Sequence, residues 1–414
     1  MKACIIAVGS ELLTPFKVDT NSLRITEQLN TIGYDVRLKA VVGDDVDELS
    51  AVLRGALEWA NLVIVTGGLG PTEDDITRDA VARVLDAPMD VDERIVEGIR
   101  ERFAKRGLKM SENNRRQAMV PRGAVVLENP NGSAPGLVLK KNGTDVVLLP
   151  GPPREMIPML EAVIRDRLAP AASGTRLFRR VLKITGRPES EVDAVAQTVY
   201  SKWITQPVPI STTILAALGQ LELHLTARAR STEEADAALD AAVGELRACL
   251  GACVYSADGR PLEAVVGEKL RERKLTIAVA ESCSGGLLAS RLTDVPGSSD
   301  YVERGVVCYS NRSKTELLGV SEALLREHGA VSEPVARAMA EAIAATARTD
   351  VGVGITGIAG PGGGSPEKPV GTVMVAVTVN GAMNVRTLKL FGGREMIKFQ
   401  STQAALNMLR LMLP

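Results

Sequence analysis

The chain has 414 residues, 45% apolar but only 3% aromatic, enough for two or three domains with aliphatic cores; its 49 Lys plus Arg against 50 Asp plus Glu give no overall field that would draw it onto nucleic acid or anionic lipid. No apolar run approaches the roughly 20 residues of a membrane span, and the N-terminus enters an apolar run at once without a basic leader, so a cytoplasmic protein with no membrane partner is expected. Five scattered cysteines, with no histidine near Cys249 and Cys253, fit reduced thiols rather than disulfides or a zinc site.

In chain order, the first block, residues 1–170, predicts strands at 3–8, 35–42, 62–66, 125–128, 136–140 and 146–149, with helices at 22–32, 46–60, 77–85, 92–106 and 155–168. Gly33 suits a helix C-terminus and Asn142-Gly143 a hairpin turn. The pattern is a doubly wound α/β sheet with a late antiparallel addition. Ala169-Pro170-Ala171-Ala172-Ser173-Gly174 reads as a linker. The second block, 176–258, predicts strand 181–185, helix 189–203, strands 208–214 and 221–227, helix 232–250 and strand 253–256, a split βαβ order of KH-like type. It has no Gly-x-x-Gly loop flanked by basic residues, so no nucleic-acid partner is expected. After a second linker at 256–261, the third block, 261–414, is again α/β, with strands predicted at 275–280, 305–309, 351–356, 372–379 and 384–391 and helices at 262–274, 287–293, 314–318, 334–346 and 394–411.

The third block organises the chemistry around Ala280-Glu281-Ser282-Cys283-Ser284-Gly285-Gly286, a strand feeding a helix through a small-residue turn. Such a turn sets the Ser282 hydroxyl beside unpaired backbone N–H groups, an incipient oxyanion hole, and lets substrate approach the backbone at Gly285 and Gly286. The competing reading is that Ser282 and Ser284 only cap the helix. Two further strand ends, Cys308-Tyr309-Ser310-Asn311-Arg312-Ser313-Lys314 and Ile355-Thr356-Gly357 leading to Gly360-Pro361-Gly362-Gly363-Gly364, are expected to meet it over one crevice. Neither His224 nor His328 is well placed as a base, which leaves Lys314, since a desolvated ammonium gives up its proton more readily. Cys283 rivals Ser282 as nucleophile but should point the other way in the turn. Gly360, Gly362 and Gly363 could form a phosphate-wrapping nest, and Arg394, a cation at a helix start, would be explained by an anion held nearby.

These motifs, with Asp294-Val295-Pro296-Gly297-Ser298-Ser299, Tyr309-Ser310-Asn311, His328-Gly329-Ala330-Val331-Ser332 and Lys368-Pro369-Val370-Gly371-Thr372, resemble the C-terminal domain of the CinA (competence/damage-inducible protein A) family. The resemblance implies hydrolysis of nicotinamide mononucleotide to nicotinate mononucleotide and ammonia, a pyridine-nucleotide recycling step that needs no cofactor. It casts Ser282 as nucleophile and Lys314 as its base. Thr356 and the turn at Gly285 and Gly286 would contact oxyanion or substrate, with Tyr309, Asn311, Gly357 and Arg394 in the same site. Ser284 stands where the family more often has threonine, and Gly393 where it usually has aspartate.

In the first block, Val63-Ile64-Val65-Thr66-Gly67-Gly68-Leu69-Gly70-Pro71-Thr72-Glu73-Asp74-Asp75 is another strand running into a glycine loop. Its acidic end would repel a phosphate unless a divalent cation sat between, and Asp44 and Asp45 could add ligands. The alternative is a surface turn with acidic capping residues. With Gly9-Ser10-Glu11, Asp19-Thr20-Asn21, Glu112-Asn113-Asn114-Arg115 and Pro150-Gly151-Pro152-Pro153, this block is similar to the MoaB/MogA molybdopterin-binding fold and to the N-terminal domain of CinA. That similarity implies metal-dependent ADP-ribose pyrophosphatase activity: Glu11, Asp19, Asn21, Thr66, Gly67, Gly68, Gly70, Thr72, Asn113 and Gly151 at the nucleotide, and Asp44, Asp74 and Asp75 on magnesium. Thr14-Pro15-Phe16-Lys17 replaces a glycine-containing loop at the rim. The expectation is a homodimer of three-domain chains acting on two small-molecule substrates. The rivals are a non-catalytic nucleotide or pterin sensor and molybdenum-cofactor chemistry.

Overall fold

The computed structural model describes residues 1–171 and 174–413, so Ala172 and Ser173 of the first predicted linker, and Pro414, lie outside the described residues. It resolves into two compact units, Met1–Phe178 with Arg228–Glu234, and Arg179–Ala227 with Ala235–Pro414.

In the first unit the strands are β1 (Lys2–Val8), β2 (Asp35–Val42), β3 (Leu62–Thr66), β4 (Met89–Val91), β5 (Met119–Pro121), β6 (Val125–Leu127), β7 (Gly136–Lys141) and β8 (Thr144–Leu149). Six form one sheet in the order β2-β1-β3-β8-β7-β6. The first four run parallel, and β7 and then β6 are added by antiparallel pairing, the late addition the sequence predicts. β1 and β3 are apolar without alternation because both faces are covered. Successive residues of β1 divide between two cores. Cys4, Ile6 and Val8 face the helices Val46–Leu57 and Thr77–Leu85, while Ala3 and Ile5 face Asn21–Thr31 and Pro153–Val163. Asn142 and Gly143 both take positive φ, 49° and 87°, as the tight β7–β8 hairpin requires.

The helix predicted at 155–168 instead opens on Pro153, widens into a π-helical stretch at Ile164–Leu168 and continues through Ala169–Ala171, so the start of the predicted linker is helical. The wide turn just before Pro170 makes room for a ring that would otherwise meet the carbonyl four residues back. The β4–β5 pair is new: three residues per strand is too short for a periodic signal.

In the second unit, β9 (Arg176–Ile184), β10 (Ile210–Ala217), β11 (Gln220–Ala229) and β12 (Val254–Ser256) pair in the order β10-β11-β9-β12. β9 starts five residues ahead of the predicted strand, where Arg179 and Arg180 break the apolar run. β11 buries Leu221, Leu223, Leu225 and Ala227 and leaves Glu222, His224 and Thr226 half-buried between them. Tyr255 of β12 joins the core of the following sheet, so the middle and third blocks share packing. That sheet runs β14-β13-β15-β16-β17, from β13 (Ile277–Glu281), β14 (Val302–Val307), β15 (Val351–Gly357), β16 (Thr372–Val379) and β17 (Ala382–Lys389).

β14, β13 and β15 are parallel neighbours, so their C-terminal ends emerge side by side. Two differences from the predicted elements matter there. β14 stops at Val307, which frees the Cys308 and Tyr309 carbonyls from the ladder, and the next helix begins at Asn311 rather than 314, capped by Ser310 and Ser313. Helix Glu322–His328 is additional to the predicted set. Among the described residues no helix is long and apolar enough to cross a membrane.

Candidate active site

The turn after β13 is pinned by its own backbone. Ser282 N–H donates to the Ile355 carbonyl of β15 at 2.9 Å, and the chain then reverses through Gly285 and Gly286, whose φ values of 63° and 90° favour glycine. Helix Leu287–Thr293 follows. Its N-terminus is capped by neither serine. The Glu281 carboxylate, 1% exposed, accepts the N–H groups of Gly286, Leu288 and Ala289 at 3.1, 3.0 and 2.8 Å. The capping reading of Ser282 and Ser284 therefore fails, and the unpaired N–H groups expected beside Ser282 are reduced to two. Those of Cys283 and Ser284 are the ones in the turn that reach no backbone acceptor among the described residues.

With capping assigned to Glu281, the Ser282 hydroxyl meets Lys314. Lys314 Nζ lies 3.1 Å from Ser282 Oγ, 3.0 Å from the Cys308 carbonyl and 3.4 Å from that of Tyr309. The helix start at Asn311 is what turns Lys314 inward, and it is 1% exposed. Its partners are neutral, so burial dominates and pulls the amine below the ordinary lysine range, with Cys308, Cys283 and Tyr309 opposing weakly. A lysine that loses its proton this way can accept one from a hydroxyl. Cys283 points instead into the aliphatic core, where burial pushes its thiol up to about 12, so it does not compete as nucleophile.

The other predicted residues divide. Tyr309 is well exposed, and its hydroxyl accepts from Arg394 Nη2 at 2.9 Å, while Arg394 Nη1 donates to the Gly360 carbonyl at 2.7 Å. The protein partners of Arg394 are thus both neutral. Asn311 is exposed at the helix start, and Gly357 closes β15. Gly360 is buried, whereas Gly362 and Gly363 are exposed, with nothing within 4 Å of a Cβ added at Gly362. Thr356 is a correction: it is buried and its hydroxyl donates to the Ala330 carbonyl at 2.8 Å, so that proton is unavailable to an oxyanion and the side chain fastens the 329–332 segment. Lys368, which the sequence placed in a motif without a role of its own, braces the same segment through the His328 and Val331 carbonyls at 3.2 and 2.8 Å. The histidines lie against Glu222 and Glu327.

In the first unit, a cavity of about 670 Å³ opens beyond the C-terminal ends of β1 and β3. Glu11, Asp19, Asn21, Thr66, Gly67, Gly68, Gly70, Gly151, Asp44, Asp74 and Asp75 all line it; Thr72 and Asn113 do not. Asn21 Nδ2 donates to the Gly151 carbonyl at 2.7 Å and to Thr66 Oγ1 at 3.3 Å. Gly67 sits at φ 103°, and a Cβ there would fall 2.2 Å from the Val8 carbonyl oxygen. Arg78, buried beneath the loop, donates to the Leu69 and Gly70 carbonyls at 2.6 and 2.8 Å, and burial draws its guanidinium down to about 10.

Thr72 turns its hydroxyl to Asp75 at 2.5 Å. Asn113 is exposed on a short 3-10 helix, and its buried neighbour Asn114 instead holds Gln117, which lines the cavity. The metal assignment does not survive as a cluster. Asp75 spends both oxygens on Gly70 and Thr72, Asp44 accepts Ser10 N–H, and among the described residues no three His, Cys, Asp or Glu side chains are placed to hold an ion. The residues present do not fit a preformed divalent-cation site.

Three family descriptions match: the CinA C-terminal domain over residues 259–413, the damage-inducible protein CinA KH domain over 179–256, and a probable molybdopterin binding domain over 4–170. A CinA-like protein of Koribacter versatilis is 46% identical over 99% of both chains. A putative competence-damage inducible protein of Symbiobacterium thermophilum is 44% identical over 99% of this chain and 98% of that one. The crystal structure of a CinA protein of unknown function from Thermoplasma acidophilum is 37% identical, covering 40% of this chain and 98% of that one, with a TM-score of 0.38.

Proposed function

The chain belongs to the CinA family, and on that footing we propose that its C-terminal block hydrolyses the carboxamide of nicotinamide mononucleotide. The observation that carries this reading is the 3.1 Å contact between the Ser282 hydroxyl and a buried lysine whose other partners are carbonyls. Ser282 Oγ attacks the amide carbon as its proton passes to Lys314 Nζ. The Cys283 and Ser284 N–H groups are the turn's open donors for the oxyanion. Collapse of the tetrahedral intermediate breaks the C–N bond, with Lys314 returning the proton so that ammonia leaves and an ester on Ser282 remains. Water then attacks the ester as Lys314 takes its proton, the acyl C–Oγ bond breaks with that proton returned to Ser282 Oγ, and nicotinate mononucleotide departs. Incubation of the purified chain with nicotinamide mononucleotide, products resolved by chromatography, tests the proposal; nicotinate mononucleotide and ammonia in equal amounts support it, and unchanged substrate refutes it.

For the first unit, the glycine-lined cavity at the strand ends supports nucleotide binding. Hydrolysis of ADP-ribose to AMP and ribose 5-phosphate rests on the family resemblance. The same incubation with ADP-ribose, with and without magnesium, separates it from a binding-only role.

A further inference from the structure

Beside the Ser282 turn lies a cation that the hydrolysis does not use. Lys398 lies one turn after Arg394 on helix Arg394–Met412, so the two side chains share a face. Its Nζ is 3.5 Å from the position a Cβ on Gly285 would occupy, so the ammonium rests over the turn that carries the nucleophile. Among the described residues no carboxylate forms an ion pair with Lys398 or Arg394, and Glu281, the carboxylate of the turn itself, is committed to three N–H groups. Lys314 must be neutral to act as a base, and Arg394 is held by the Gly360 carbonyl and the Tyr309 hydroxyl. That leaves Lys398 as the cation beside the turn whose ammonium has no hydrogen-bond or ion-pair partner among the described residues.

Resting on the deamidase reading, we propose that Lys398 receives the phosphate monoester of the substrate and so selects the nucleotide over its nucleoside. A dianionic phosphate docked on Lys398 would lie at the Gly285 end of the turn, with the carboxamide end of the molecule directed to Ser282. Lys398 is then a specificity-determining residue that takes no part in bond making.

The test compares nicotinamide mononucleotide with nicotinamide riboside as substrates of the full-length parent, Lys398→Met and Lys398→Arg. A charge-assisted hydrogen bond to phosphate predicts that Lys398→Met lowers the nucleotide-over-riboside ratio of kcat/KM about 30-fold, mainly through KM, and that Lys398→Arg restores most of it. Inhibition by inorganic phosphate should weaken in parallel. A ratio unchanged in Lys398→Met, with both substrates impaired alike, would mean that Lys398 merely supports the turn and would overturn the proposal. Should the parent release no ammonia at all, the deamidase reading fails separately. Calorimetry with nicotinamide mononucleotide then still decides the phosphate contact: binding about 30-fold weaker to Lys398→Met upholds it, and equal binding refutes it.

Discussion

Replacing Lys314 by methionine removes the amine while keeping an unbranched stem of similar length in a site that is 1% exposed. General-base catalysis contributes about 10²–10⁴-fold. Because serine and base act as a unit, the loss of ammonia release should lie near the upper end of that range. Stability should change its pH dependence, and the sign of that change follows from burial. Lys314 titrates below the ordinary lysine value of 10.5 in the folded chain. Between its lowered value and 10.5 the unfolded chain holds a proton that the folded chain does not, so parent stability rises with pH across that window. Below the window the full cost of burying the ammonium applies.

Each tenfold drop in proton affinity is worth about 1.4 kcal/mol. Against this, the Cys308 and Tyr309 carbonyls each lose a donor, at about 1 kcal/mol apiece. These terms oppose each other, so the diagnostic is the slope. Lys314→Met should be most favoured relative to the parent at neutral pH, and its advantage should shrink as pH climbs toward 10.5. Urea unfolding of both proteins at several pH values, with ammonia release in parallel, reads both effects. Parallel stability curves together with a rate within tenfold of the parent would refute the role of the buried amine.

The parent's own kcat should increase with pH and level off at a value below the ordinary lysine range; a profile still climbing through 10.5 would assign the base elsewhere. Glu281→Gln removes the charge that three helix N–H groups converge on and turns an amide donor toward them, costing about 3 kcal/mol and loosening the Ser282 turn. An unchanged urea midpoint would contradict it. Iodoacetamide under native conditions should leave activity intact, because the thiols at the site, Cys283 and Cys308, are buried and burial raises both, that of Cys283 to about 12; rapid inactivation with label on Cys283 would reverse the choice of nucleophile.

The strands were legible where two covered faces make the apolar run continuous, as in β1 and β3, and the convergence of three parallel strand ends followed from their polar termini. The pairing of Ser282 with Lys314 was legible too, because both histidines sit in unpromising contexts and no other base remained. What failed did so for local reasons. Glu281 was read as part of a motif rather than as the helix cap, since a buried carboxylate accepting N–H groups five to eight residues ahead leaves no signal at capping-box spacing. Thr356 matched a hydroxyl role, but only coordinates reveal that the Ala330 carbonyl claims it. Asp74 and Asp75 adjoin in sequence, yet Asp75 folds back onto its own loop, and acidic residues at short spacing often structure turns in this way.

The most direct test is ammonia release from nicotinamide mononucleotide by purified Ser282→Ala beside the parent. Removal of the hydroxyl should lower the rate by about 10⁴-fold or more while leaving the circular dichroism spectrum unaltered. Release of ammonia by Ser282→Ala at the parent's rate would show that the bond is broken without that oxygen.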